Sequence, residues 1–374
     1  MKKFLLIAAA VLVCSSALAQ TQTIYKFTPV NDIEVTSVKN QARTGTCWCF
    51  ATVSFLEAEL LRQGKGTYDL SEMFIVRNNY NKRLNDNYLR QGNGNIGPGS
   101  IAHMAINVVK ENGIVPDEVY TGINYDSPTH NHTELGMYLK AIADVSVKLK
   151  YRSPEYYEIM NDLFDTYLGV APTEFEYKGV KYTPVSFKES LGLNLDDYIE
   201  ITSFSHRPFY QQVPLEIPDN WDHQLLYNVP LEDMMSIIDN ALKNGYTVAW
   251  DGDLTSGCFN HGRGVAINPS PKDREEAVKL EKVFPDMEVT QEIRQADFET
   301  FKTVDDHLMH LTGIFKDQNG NIWYKTKNSW GTARNEEMSG YLYMSNSYVK
   351  MRTISIMVHK DAVPKDIRKK LGIK

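Results

Sequence analysis

The chain has 374 residues, 42% hydrophobic and 11% aromatic, with 23 Gly and 15 Pro. This composition excludes low-complexity disorder and fibrous repeats and supplies a real core. Charged residues make up 23% and the formal charge is −7 at pH 7, which argues against a general nucleic-acid or membrane-surface binder, because both need a dense Lys/Arg face.

In chain order, residues 1–19 begin with Lys2 and Lys3, run apolar from Phe4 to Val13 and end in Ala17-Leu18-Ala19, a small-x-small cleavage pattern. This reads as a secretory signal and predicts an exported chain, periplasmic or secreted. The apolar run is too short to span a membrane, and no later stretch reaches the roughly 20 apolar residues a span requires. Val13 stands before Cys14, where a lipoprotein signal carries a small residue, so a lipid anchor is not expected. Cys47, Cys49 and Cys258 remain, and an odd number in an exported protein points to intermolecular pairing or to a thiol kept free for chemistry.

Eleven of the fifteen residues from 47 to 61 are apolar, which predicts a central helix wrapped by protein on nearly every side. Residues 92–99 read as a Gly/Asn loop and residues 101–110 as a helix stopped by Gly113 and Pro116. Residues 125–222, rich in Tyr, Pro and acidic side chains, lack sustained periodicity and read as an insertion or lobe extension. Residues 234–243 predict an amphipathic helix closed by Asn244-Gly245, and residues 246–250 a buried strand. The last third is strand-like at 307–315, 322–327, 340–344 and 353–359, with Asn319-Gly320 as a hairpin turn between the first two. Helices early and strands late give an α+β fold with two facing halves.

The segment Asn40-Gln41-Ala42-Arg43-Thr44-Gly45-Thr46-Cys47-Trp48-Cys49-Phe50 carries the chemistry. A cysteine in the first turn of a buried helix feels the positive end of the dipole, which favours thiolate and makes Cys47 the candidate nucleophile. Gln41, across a Gly-containing turn, would present its amide NH₂ beside the backbone N–H of Cys47 as an oxyanion site. His307 is the candidate base and Asn328 its orienter, with Trp330 shielding their hydrogen bond. Simple register across a two-residue Asn319-Gly320 loop sets Asn328 opposite Leu311, about four residues from His307. Their meeting therefore requires loop or bulge geometry.

The run Val38-Lys39-Asn40-Gln41 … Cys47-Trp48-Cys49-Phe50, with His307 and Asn328-Ser329-Trp330-Gly331, resembles the papain-like cysteine peptidases. Within them it is most similar to the bleomycin hydrolase and aminopeptidase C branch: Thr44 stands where secreted papains have an extra cysteine, Leu-Met follows His307, and residues 241–254 match that branch. The resemblance implies a two-lobed papain-like fold, with residues 36–123 as a helical lobe, 124–230 as the insertion and 231–374 as a β-rich lobe. It implies Cys47 as nucleophile, His307 as general base and acid, Asn328 as orienter and Gln41 in the oxyanion hole. Gly99 and Ser100, with Trp330, would line a cleft for extended peptide. The branch forms enclosed hexamers, and the roughly 20 residues between the signal and Gln41 leave no room for an inhibitory pro-segment, so a homo-oligomer that restricts access is expected. Branch aminopeptidases place a C-terminal carboxylate in the cleft; here that arm is shortened, ending in a helix over 364–371.

The expected partners are peptides, and no cofactor or metal is expected. An endopeptidase, a silent peptide-binding protein and a Cys-dependent acyltransferase are the competing readings. His307-x-x-His310 lacks a completing cluster for a metal. Cys47-x-Cys49 lacks a thioredoxin-like context. His130-Asn131-His132 reads as a solvated loop, and Glu57 and Glu59 as satisfied polar groups.

Overall fold

The computed structural model describes residues 23–373, so the signal read in residues 1–19 lies outside them. The chain opens with β1 (Thr28–Asp32), then helices α1 (Cys47–Arg62), α2 (Glu72–Leu89), α3 (Ala102–Asn112), α4 (Thr133–Leu149) and α5 (Pro154–Leu168). A small hairpin, β2 (Phe175–Tyr177) and β3 (Val180–Tyr182), precedes α6 (Pro184–Leu191), β4 (Tyr198–Thr202), β5 (Gln211–Pro214) and β6 (Leu225–Asn228). Next come α7 (Leu231–Lys243), β7 (Val248–Gly252), β8 (Phe259–Asn260), β9 (Val265–Ala266), α8 (Arg274–Ala277) and α9 (Gln291–Glu299). The chain continues through β10 (His307–Lys316), β11 (Ile322–Lys327), β12 (Tyr341–Ser345), α10 (Asn346–Arg352), β13 (Thr353–His359) and α11 (Lys365–Leu371).

One sheet runs β5-β6-β4-β13-β7-β10-β11-β12-β9-β8, with β1 also paired to β10. It is mixed: the pairs β4–β6 and β9–β12 are parallel and the rest antiparallel, so the C-terminal half, expected to be antiparallel, carries one parallel pair, β9–β12. Strand alternation sorts the core. Ala249, Leu308 and Met357 face the layer of α1, α2 and α3, whereas Val248, Trp250, Met309, Leu311, Ile356 and Val358 face α7 and α11. Helix α1 lies between that sheet face and its neighbouring helices, and every residue from Cys47 to Leu60 is buried. That is the wrapped central helix its apolar content required. Its polar residues are satisfied locally: Glu57 accepts from Thr36 Oγ1 at 2.5 Å and from the Leu70 N–H at 2.9 Å, and Glu59 pairs with Arg62 at 2.8 Å.

The β10–β11 connection differs from the two-residue turn. Lys316 pairs with Ile322, and Asp317 N–H reaches Asn321 O at 3.0 Å, so the loop proper is residues 318–320. Asp317 sets this length, because its carboxylate accepts from the N–H groups of Asn319 and Asn321, both at 2.8 Å. Thr312 then bulges, since Leu311 pairs with Thr326 but Gly313 with Lys325. Each irregularity slides β11 by one residue, bringing Asn328 level with Met309 instead of Leu311. Helix α11 and Ile373 pack with α7 on the sheet face away from α1. Among the described residues no helix is long and apolar enough to cross a membrane.

Candidate active site

Thr46 is the N-cap of α1 but makes no side-chain cap. Its hydroxyl instead meets Thr44 Oγ1 at 2.6 Å, leaving first-turn N–H groups of the helix for a ligand. The preceding turn is locked from within, with Gln41 Nε2 donating to Thr44 O at 2.8 Å and Thr44 Oγ1 donating to Gln41 O at 2.9 Å. The other Nε2 proton of Gln41 is thereby directed away from Thr44, as an oxyanion donor requires. Across the molecule, Gln41 N–H donates to Ser329 O at 2.8 Å, Ser329 Oγ to Gln41 Oε1 at 2.5 Å, and Gly331 N–H to Lys39 O at 3.0 Å. Gly331 has φ 68°, and a Cβ there would press on Asn40 at 3.2–3.4 Å, so glycine is required for this close approach.

The His130–His132 segment is not the solvated loop its polarity suggested. Arg43 N–H donates to His130 O and His132 N–H to Arg43 O, both at 3.1 Å, and the buried His132 ring meets Tyr80 Oη at 3.0 Å. It buttresses the turn that carries Cys47. Burial depresses both rings, His130 to about 4 and His132 to about 3.

His307 opens β10, and its Nε2 meets Asn328 Oδ1 at 2.8 Å. An amide oxygen only accepts, so Nε2 carries the proton and Nδ1 keeps its lone pair. Strand β11 stops at Lys327, and the turn that follows carries Asn328 back the two remaining positions to His307. Helix α1 packs on β10, and the backbone N–H of Leu308, next to His307, acts on the Cys47 thiol and draws it down. Nucleophile candidate and base candidate therefore converge. Trp330 lies over the pair, its ring centroid 5.0 Å from that of His307. His261, in the β8–β9 turn, escaped the sequence reading: its Nδ1 is 3.4 Å from Asn328 Nδ2, and its ring centroid is 5.1 Å from that of Trp330. Nothing in its neighbourhood along the chain marks it, because its partners come from the segment after β11, more than sixty residues on.

Electrostatics depart from the thiolate expectation. Burial pushes the Cys47 thiol up to about 12; the Leu308 N–H opposes this, while Asp305, Asp251 and Asp219 add to it. Burial likewise pulls His307 down to about 4, against the lift from Asn328 and helped by His261. Burial and three carboxylates outweigh the helix dipole, so thiol and imidazole are both neutral at pH 7. The arrangement suits a proton transfer from sulfur to Nδ1 as the sulfur attacks, rather than a standing ion pair.

The other candidates separate. Ser100 is buried, with Oγ accepting from Trp221 Nε1 at 3.2 Å, and the Gly99 carbonyl is taken by the Arg83 guanidinium. The Ser100 hydroxyl still has its own proton to donate, and the Gly99 carbonyl a second lone pair. Cys49 Sγ donates to Glu72 O at 3.3 Å inside the helical layer. His310 turns to Ser54 Oγ at 2.8 Å, so it shares no ligand site with His307. A groove of about 860 Å³ adjoins the Arg43-Thr44-Gly45 turn, with Met137 and Lys140 of α4 on its far wall.

A cysteine at a helix start, an imidazole held by an asparagine and a glutamine amide beside them, on this α+β frame, define the papain-like class of cysteine hydrolase. The family model for the Peptidase C1-like family matches residues 78–373, and the chain belongs to that family. The matched span contains His307 and Asn328 but begins after Cys47. Aminopeptidase G of Lactobacillus delbrueckii subsp. lactis is 24% identical, over 90% of this chain and 83% of the relative. Aminopeptidase E of Lactobacillus helveticus is 25% identical, over 88% of this chain and 82% of the relative. The crystal structure of PepW from Lactobacillus rhamnosis HN001 superposes with a TM-score of 0.69 at 21% identity, covering 92% of this chain and 84% of that one.

Proposed function

We propose that the protein is a cysteine aminopeptidase that hydrolyses short peptides through an acyl-thioester on Cys47. The observation that carries this reading is the 2.8 Å hold of Asn328 on His307 beside the Cys47 sulfur. The exopeptidase limit is supported by relatives that bear aminopeptidase names. In the acylation step the sulfur bonds to the carbonyl carbon while its proton passes to His307 Nδ1. The oxyanion takes hydrogen bonds from Gln41 Nε2 and the Cys47 N–H. His307 then returns the proton to the departing amine as the C–N bond breaks. Water, deprotonated by the same imidazole, releases the acid and restores the thiol.

Export directed by residues 1–19 belongs to the same reading, as does self-association. An apolar ridge supports the latter: Val145, Leu149 and Ile159 are 55%, 66% and 54% exposed around a groove of about 340 Å³ between α4 and α5. The function is tested by mass spectrometry of a defined ten-residue peptide incubated with the enzyme. Stepwise loss of residues from the amino end is expected, and internal cuts alone would contradict the exopeptidase limit.

A further inference from the structure

We propose that Asp251, with Asp305 and Asp219 at its mouth, forms the pocket beside Cys47 that binds the α-ammonium group of a peptide substrate. The proposal rests on the aminopeptidase reading above and names how that site would recognise a free amino end.

Asp251 lies in β7, in register with Leu308 of β10. It alternates with Trp250, which faces α7, so its carboxyl is on the α1 side of the sheet. The Leu308 N–H acts on the Cys47 thiol, and Leu308 packs in the α1 layer. One strand spacing, about 4.8 Å, thus separates Asp251's strand from the residue beside the candidate nucleophile. Asp251 is only 1% exposed; its Oδ2 takes a 3.3 Å hydrogen bond from Ser355 Oγ, while its Oδ1 has no hydrogen-bond partner. That oxygen meets no N–H or hydroxyl donor and faces only the Asp305 carboxyl; burial, with Asp305 adding to it, raises Asp251 well above the ordinary carboxylate range, so the pair holds a proton that an arriving cation would replace.

The two companions are reachable. Asp305, two residues before His307, is partly exposed and its carboxyl meets that of Asp251. Asp219, also partly exposed, lies against Gly99, where a Cβ would collide with its carboxylate. Any side chain at position 99 would displace that carboxylate. Asp219 already accepts from Asn95 Nδ2 at 3.3 Å and feels the Arg83 charge, but no cation is paired with Asp251 or Asp305 among the described residues. Arg83 holds the Gly97 and Gly99 carbonyls, and His103 is held between Glu200 and Asp222. Burial, with Asp219 adding to it, raises Asp305 to about 7, as expected where carboxyls crowd without a cation.

Geometry selects the α-ammonium over a basic side chain. The α-nitrogen of the first residue lies about 2.5 Å from the carbonyl carbon under attack, which suits a pocket one strand away. A lysine ammonium on a preceding residue stands several bonds farther out.

The test measures kcat and KM for leucyl, N-acetyl-leucyl and N-acetyl-lysyl-leucyl coumarylamides with wild type, Asp251→Asn and Asp305→Asn, each normalised to the fraction of chains titrated at Cys47. Wild type is expected to favour the free leucyl substrate. Each variant is expected to lower the free-to-acetylated ratio of kcat/KM at least about tenfold, mainly through KM. Asp305→Asn, in a partly exposed loop, carries the test if Asp251→Asn does not fold. Unchanged ratios in variants of an enzyme that still prefers free ends would overturn the pocket and spare the aminopeptidase reading. Equal wild-type rates on free and acetylated leucine would overturn both. A wild-type preference for the lysyl-leucyl substrate that the variants lose would assign the pocket to a side-chain ammonium instead.

Discussion

The N–H groups that open α1 favour a thiolate at Cys47, yet the sulfur is buried among Asp305, Asp251 and Asp219, and the balance goes to the neutral thiol. His307 must then be neutral to accept the proton, and it is, because burial holds it down to about 4. The sign for activity follows: kcat/KM should be level around neutral pH and fall on the acid side as His307 protonates near pH 4. Asn328 raises His307, so Asn328→Ala should move that limb to still lower pH while cutting turnover about 10–100-fold; a pH–rate profile reads both. Cys47→Ala and His307→Ala should each cost at least about four orders of magnitude in kcat/KM, with unfolding curves unchanged. Gly331→Ala forces a side chain into a left-handed backbone against Asn40. It should cost about 1–3 kcal/mol of stability and slow turnover by displacing Gln41, measurable by urea unfolding and steady-state kinetics.

At the level of elements, the sequence reading found the strands and the central helix because their apolar patterns are local. It missed what depends on partners far apart in the chain. The Asn319-Gly320 turn was visible, but its length is set by the Asp317 carboxylate, and the Thr312 bulge is stabilised by the Ile33 N–H reaching Thr312 O at 2.9 Å from the amino-terminal segment. Helices α5 and α6 start at Ser153-Pro154 and Thr183-Pro184, where the hydroxyls cap Tyr156 and Ser186. Those caps were legible; the apolar stripe was not, because exposed Tyr157 and Ile159 blur it. Helix α3 is fastened to β4 by His103, whose Nδ1 meets Glu200 at 2.6 Å and Nε2 meets Asp222 at 2.8 Å. Burial alone would lower His103, but Glu200 and Asp222 raise it to about 10. A raised histidine stabilises fully below its unfolded value near 6.5 and loses that contribution as pH climbs through the folded value. Asp222 is depressed despite its burial, chiefly by His103, so its share is lost on acidification below about 4. His103→Gln should therefore cost about 3–5 kcal/mol near pH 6 and progressively less toward pH 10, read by urea unfolding at both ends.

For the molecule as a whole, catalysis requires that the segment before α1 and the loop after β11 hold one geometry. Gln41 and Ser329, with Lys39 and Gly331, supply the stitches. The four-residue constellation was legible from sequence because its motif residues are contiguous at each end. Asp251, Asp305, Asp219 and His261 come together only through the sheet and the loops around it. If the α4–α5 ridge mediates self-association, sedimentation should give an oligomer, and charging it with Val145→Glu and Ile159→Glu should yield a monomer. The central claim is that the Cys47 sulfur becomes nucleophilic through His307, and labelling with an epoxysuccinyl inhibitor followed by peptide mapping tests it most directly. The expected result is one adduct, on Cys47, formed in step with loss of peptidase activity and at least about a hundredfold more slowly in His307→Ala. Peptide turnover that persists with Cys47 fully labelled, or labelling that ignores the His307 substitution, would contradict the account.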